Sequence, residues 1–141
     1  MGQLHDFKEN NTNEIDLCIA LFPEMVRVVR LTVSGIASTV GLHMDVIEDI
    51  KVAVSEICNR LITQNISPSQ RCIIKFVISG TDLKVIFKFE DYKPKDFKLF
   101  DEEDSFGLAI VNSLMDDVIV ENASDSLDII SLIVHLEESL V

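Results

Sequence analysis

What this 141-residue chain has little of bounds it before any motif is read. It has no apolar run of the roughly 18–20 residues needed to span a bilayer, so its positive mean hydropathy reflects a rich core and no membrane partner is expected. Residues 1–13 are polar and lack an apolar signal core, which predicts a cytoplasmic location. Only three cysteines occur, Cys18, Cys58 and Cys72. They cannot all pair, and their apolar neighbours predict reduced core thiols. Basic residues are scarce, 12 Lys+Arg against 24 Asp+Glu, for a net charge of −12. Such a surface repels nucleic-acid phosphates and anionic lipid, so no nucleic acid is expected as a partner. It suits a protein partner with a basic surface, although acidity also simply aids solubility. There is no Walker loop, paired CxxC, HExxH or dinucleotide fingerprint. The three histidines, His5, His43 and His135, share no metal spacing, so no metal ligands are assigned. With no internal repeat and no linker, residues 14–141 read as one domain preceded by a flexible segment, residues 1–13.

What is present is a core. Apolar residues make up 48% and charged residues 26%, as in a soluble globular domain, and a chain of this length buries about two-thirds of its unfolded surface. Ile15, Leu17, Ile19 and Leu21 alternate with polar or small residues, the period of a strand with one buried face. Pro23 can open a helix that ends near Gly41. Ile47, Ile50, Val54, Ile57 and Leu61 form one apolar stripe of a second helix. Cys72, Ile74, Phe76 and Ile78, then Leu83, Val85, Phe87 and Phe89, make a hairpin around Ser79-Gly80-Thr81-Asp82. Residues 91–104 read as a surface loop or lid, with Lys93, Lys95, Lys98 and the acidic run Asp101-Glu102-Glu103-Asp104. A short helix over residues 105–115 and strands over 118–121 and 127–136 complete the chain. The order predicts a two-layer α/β (α+β) sandwich, a mostly antiparallel sheet with helices on one face.

Val28-Val29-Arg30-Leu31-Thr32-Val33-Ser34-Gly35-Ile36-Ala37-Ser38, followed by Ile47-Glu48-Asp49-Ile50-Lys51-Val52-Ala53-Val54-Ser55-Glu56-Ile57-Cys58, resembles the anti-sigma-factor serine kinases of the RsbW and SpoIIAB type. Gly107-Leu108-Ala109-Ile110 through Leu114-Met115-Asp116-Asp117-Val118 continues the resemblance. It implies the GHKL ATPase sandwich, a sigma factor and a STAS-type antagonist as partners, a homodimer through the first strand and first helix, and Mg-ATP as phosphoryl donor.

Carried over residue by residue, the resemblance makes Glu56 the candidate general base for a serine hydroxyl. One turn on, where the family has a metal-binding asparagine, stands Arg60, which offers only donors and a positive charge. Asn59 points about 100° away around the helix and is a poor substitute. The adenine-reading Asp-x-Gly aligns with Phe89-Glu90-Asp91. Asp91 lies on the expected strand face, but Tyr92 and Lys93 replace the glycine. The phosphate turn Gly-x-Gly-Leu is reduced to Ser105-Phe106-Gly107-Leu108. Asp91, Lys93, Gly107 and Leu108 are therefore the candidate nucleotide pocket, with Arg60 a possible phosphate contact. Arg30 matches an arginine the family uses against sigma.

Each residue also has a plainer reading. Glu56 and Arg60 suit an i, i+4 ion pair, and Asp91 suits a turn. Gly107 suits a helix start, Arg30 a solvated helix face, and the acidic run a solvated lid. All three nucleotide boxes depart from the family while the core stretches do not. The expectation is an anti-sigma-type partner switch with impaired ATP use; the alternative is an active serine kinase holding ATP or ADP with Mg²⁺.

Overall fold

The computed structural model describes residues 13–63, 71–89, 105–121 and 129–136. The elements are β1 (Asn13–Ala20), α1 (Met25–Thr39), α2 (Met44–Thr63), β2 (Arg71–Ile78), β3 (Asp82–Phe89), α3 (Ser105–Leu114), β4 (Asp117–Glu121) and β5 (Ile129–His135). The five strands form one sheet in the order β1-β2-β3-β5-β4, with every pairing antiparallel. The α+β sandwich expected from the pattern is the observed architecture.

Period two sorts the sheet into faces. Register aligns Leu17 with Ile74, Ile74 with Phe87, and Phe87 with Ile130, all on the face that packs against the helices. Phe76 and Phe87 are the largest fully buried side chains. The opposite face carries Lys75, Lys84 and Lys88. Lys75 donates to Glu14 at 3.2 Å and lies 3.8 Å from Asp16. That hydrogen bond, with both carboxylate charges, raises the lysine above its ordinary pKa. Among the described residues no polar or charged side chain is buried.

The helices are built by their stripes. Val29, Val33, Ile36 and Ala37 of α1 are buried, and so are Ile47, Ile50, Val54, Ile57 and Leu61 of α2. A Schellman motif ends α1: Gly41 N–H donates to Ser38 O at 3.1 Å and Leu42 N–H to Ala37 O at 3.1 Å, with Gly41 at φ 84°. That left-handed conformation is why a glycine stands there.

Three expectations need correction. Pro23 does not open α1; the helix starts at Met25, and Pro23 sits in a preceding turn where Val26 N–H reaches its carbonyl at 3.2 Å. β1 begins at Asn13, earlier than the apolar alternation, because main-chain pairing with β2 continues to Ile78. Cys18 is not a core thiol: it alternates out of phase with Leu17 and Ile19 and is exposed, whereas Cys58 and Cys72 are buried. The expected strand residues 127–128 lie outside the described residues.

Candidate functional site

Glu56 and Arg60 share one face of α2 because four residues make just over one turn. Arg60 Nε donates to Glu56 Oε1 at 3.0 Å, and the two side chains are 15% and 32% exposed. The pair sits where α2 meets α3. There the Arg60 guanidinium packs on Gly107, in the first turn of α3. A β-carbon on Gly107 would fall inside that guanidinium. The backbone of Gly107 does not need left-handed dihedrals. The glycine is thus explained by close approach of a side chain. Leu108 is half-buried beside it, and Phe106 projects into solvent, 75% exposed.

Of the remaining nucleotide candidates, Asp91 and Lys93 lie outside the described residues, as do Glu90 and the acidic run 101–104. The structure therefore brings together Glu56, Arg60 and Gly107. Asn59 is exposed on another face of α2, as the helix geometry predicts.

A second locus lies on α1. Arg30 is exposed beside a cleft of about 310 Å³ lined by Val26, Arg27, Arg30, Leu31, Ser34 and Lys51. α1 carries two arginines and no acidic residue, so cationic charge concentrates here on a chain of net charge −12. Lys51 of α2 pairs with Glu48 at 3.1 Å. Of these cations, only Arg30 is expected from the sequence. The i, i+3 spacing of Arg27 was the available signal for a second cation, and Lys51 joins only through packing of α1 on α2.

Beside the edge of the sheet, Ile15 of β1 and Leu31 of α1 are 43% and 67% exposed and border a groove of about 580 Å³ between the two elements. Gly35 lies in its floor with nothing within 4 Å of where its β-carbon would be.

Residues 19–133 match the histidine kinase-like ATPase domain family. The chain is similar to the serine-protein kinase RsbW of Bacillus subtilis, 33% identical over 132 residues that cover 82% of each chain. It is also similar to the serine-protein kinase RsbW of Oceanobacillus iheyensis, 32% identical over 129 residues, covering 80% of this chain and 82% of that one. The chain belongs to the RsbW-type family of histidine kinase-like ATPase domains. A crystal structure of the RsbU and RsbW domains of a Mycobacterium tuberculosis protein shares the fold, with a TM-score of 0.65 at 12% identity. It matches over 86% of this chain and 32% of that larger one.

A nucleotide and Mg²⁺ in an RsbW-type pocket would need oxygen ligands and room over the phosphate turn. Among the described residues, the guanidinium of Arg60 supplies only donors, and it packs on Gly107, which the resemblance places in the phosphate turn. Glu56, a carboxylate beside it, is engaged by the same guanidinium.

None of the helices among the described residues is long and apolar enough to cross a membrane.

Proposed function

We propose that this chain is a cytoplasmic partner-switching regulator of the anti-sigma-factor type, which binds a sigma factor and/or a STAS-type antagonist and uses Mg-ATP poorly. Membership of the RsbW-type family supports the class of partner. The cationic cleft at Arg30, with Arg27 and Lys51, suits an acidic protein surface, and arginine is common at the energetic centres of interfaces. The apolar groove at Ile15 and Leu31 suits a homodimer contact through β1 and α1.

The observation that carries the loss of ATP use is the Arg60 guanidinium seated on Gly107 and paired with Glu56. A fixed cation there repels Mg²⁺ and takes up the approach to the phosphate turn. The candidate base is held as a salt-bridge partner. Asp91 remains a candidate for the adenine end of the pocket, and Lys93 for its phosphate side.

Glu56 itself favours the second reading, an active serine kinase, because the resemblance makes this carboxylate the candidate general base. The two readings part on nucleotide dependence. Purified chain, stripped of nucleotide, is titrated with the sigma factors and STAS proteins of its own cell, and phosphate transfer from labelled ATP to the STAS serine is followed. Partner binding without nucleotide and no label transfer is the expected result. Label transfer that needs Mg²⁺ and disappears in Glu56→Gln would establish the kinase instead.

A further inference from the structure

We infer that His135 is a proton-operated clamp that fastens the α3–β4 corner and the end of β5 to β3, closed when the imidazole carries both ring protons and released when it loses one. The ring lies between two carboxylates from different strands. Its Nδ1 is 2.7 Å from Asp82 Oδ1 at the start of β3, and its Nε2 is 3.3 Å from Asp117 Oδ2 at the start of β4. Asp116 accepts the main-chain N–H of His135 at 2.7 Å. One residue at the end of β5 thus holds three aspartates brought together only by the strand order β3-β5-β4.

The chemistry of the ring selects a protonation state. A neutral imidazole has one N–H and one lone pair, so whichever nitrogen lacks the proton would turn its lone pair toward a carboxylate. The imidazolium donates on both sides. The charged groups facing it among the described residues are Asp82 from β3, and Asp116 and Asp117 from the corner and β4, with Lys84 of β3 acting on Asp82. The hydrogen bond that the ring donates to Asp82 raises the pKa of His135, and the charges of Asp116, Asp82 and Asp117 add to it over the opposing cost of burial. Burial pushes Asp82 up, but hydrogen bonds from His135 and Thr81 with the charges of His135 and Lys84 hold it below the ordinary carboxylate value. The sign follows from linkage. The histidine contribution is fully present below the imidazole's unfolded value and is lost as pH rises through its raised folded value. The Asp82 contribution is lost only as pH falls through its depressed value. The clamp therefore holds from mildly acidic pH up to the raised imidazole value and opens above it.

Two main-chain bonds flank the ring and report on it: Asp116 N–H to Ile133 O at 3.1 Å and Leu136 N–H to Thr81 O at 2.9 Å. The same corner follows the end of α3, whose first turn meets Arg60.

The test combines an NMR titration of the His135 ring with hydrogen exchange at the Asp116 and Leu136 amides, corrected for intrinsic rates, from about pH 5 to about pH 8.5. In the full chain the ring should titrate above the ordinary value of about 6.5. Past that point, protection of the two amides should fall by up to about tenfold per pH unit. In His135→Gln their protection should be low and flat across the range. Asp117→Asn, which keeps the histidine, should lower the ring's titration point. A ring titrating at or below the ordinary value, a pH profile shared by His135→Gln, or an equal loss of protection at the β2 amides would each overturn the clamp.

Discussion

The guanidinium of Arg60 occupies the position that a β-carbon on Gly107 would take, so this seat of the arginine needs a glycine at 107. This contact links the middle of the fold to its candidate site: α2 supplies the cation, α3 supplies the open backbone, and Glu56 fixes the cation's direction through the 3.0 Å bond.

Gly107→Ala should expel the guanidinium from its seat. The far end of an arginine is flexible, so the cost in stability should be small, on the order of 1 kcal/mol from the weakened ion pair and lost packing of the stem. Chemical denaturation measures it. A loss of several kcal/mol would mean that the backbone of Gly107, and not the arginine, sets the requirement.

The three thiols should differ sharply in reactivity. Burial alone pushes Cys58 up to about 12, and burial, with the nearby thiols adding to it, raises Cys72 still further. Both remain protonated at any physiological pH and out of reach of reagent. Cys18 is exposed. Alkylation of the native protein followed by mass spectrometry should label Cys18 first and the other two only on unfolding.

The helices were readable because their apolar residues recur at three- and four-residue spacing, and the end of α1 was readable from Gly41. Local signals also gave the β2–β3 turn, where Ser79 Oγ accepts the N–H groups of Asp82 at 3.0 Å and Thr81 at 3.3 Å. Insertion of β5 between β3 and β4 was not legible, since strand order depends on pairing between residues far apart in sequence. The same non-local pairing hid the partners of His135, which the sequence left without a role. The Glu56–Arg60 pair was visible as an i, i+4 spacing, but its seat on Gly107 was not, because α2 and α3 meet only in the folded chain. Cys18 misled for a smaller reason: its neighbours are apolar, yet in a strand neighbours point to opposite faces.

Leu31→Glu should leave the monomer folded, because the side chain is largely exposed, and should abolish a dimer that uses the groove beside Ile15. Light scattering on the purified chain reads the mass directly. A dimer that persists in Leu31→Glu places the contact on another face.

Arg30→Ala should weaken partner binding by about 1–3 kcal/mol if the arginine is an interfacial anchor, with a smaller loss for Arg27→Ala. Titration calorimetry with the cognate sigma factor measures both. Equal affinity for Arg30→Ala and the unaltered chain would move the contact away from the α1 cleft.

The most direct test of impaired ATP use is the thermal midpoint of the purified chain with and without Mg-ATP. A ligand at about 100 times its dissociation constant stabilises by roughly 2.7 kcal/mol, which for a domain of this size raises the midpoint by roughly 9 °C. With Arg60 seated on Gly107 the midpoint should not move in millimolar Mg-ATP. A Mg-dependent rise of several degrees would contradict the account and show that the guanidinium yields its place to nucleotide.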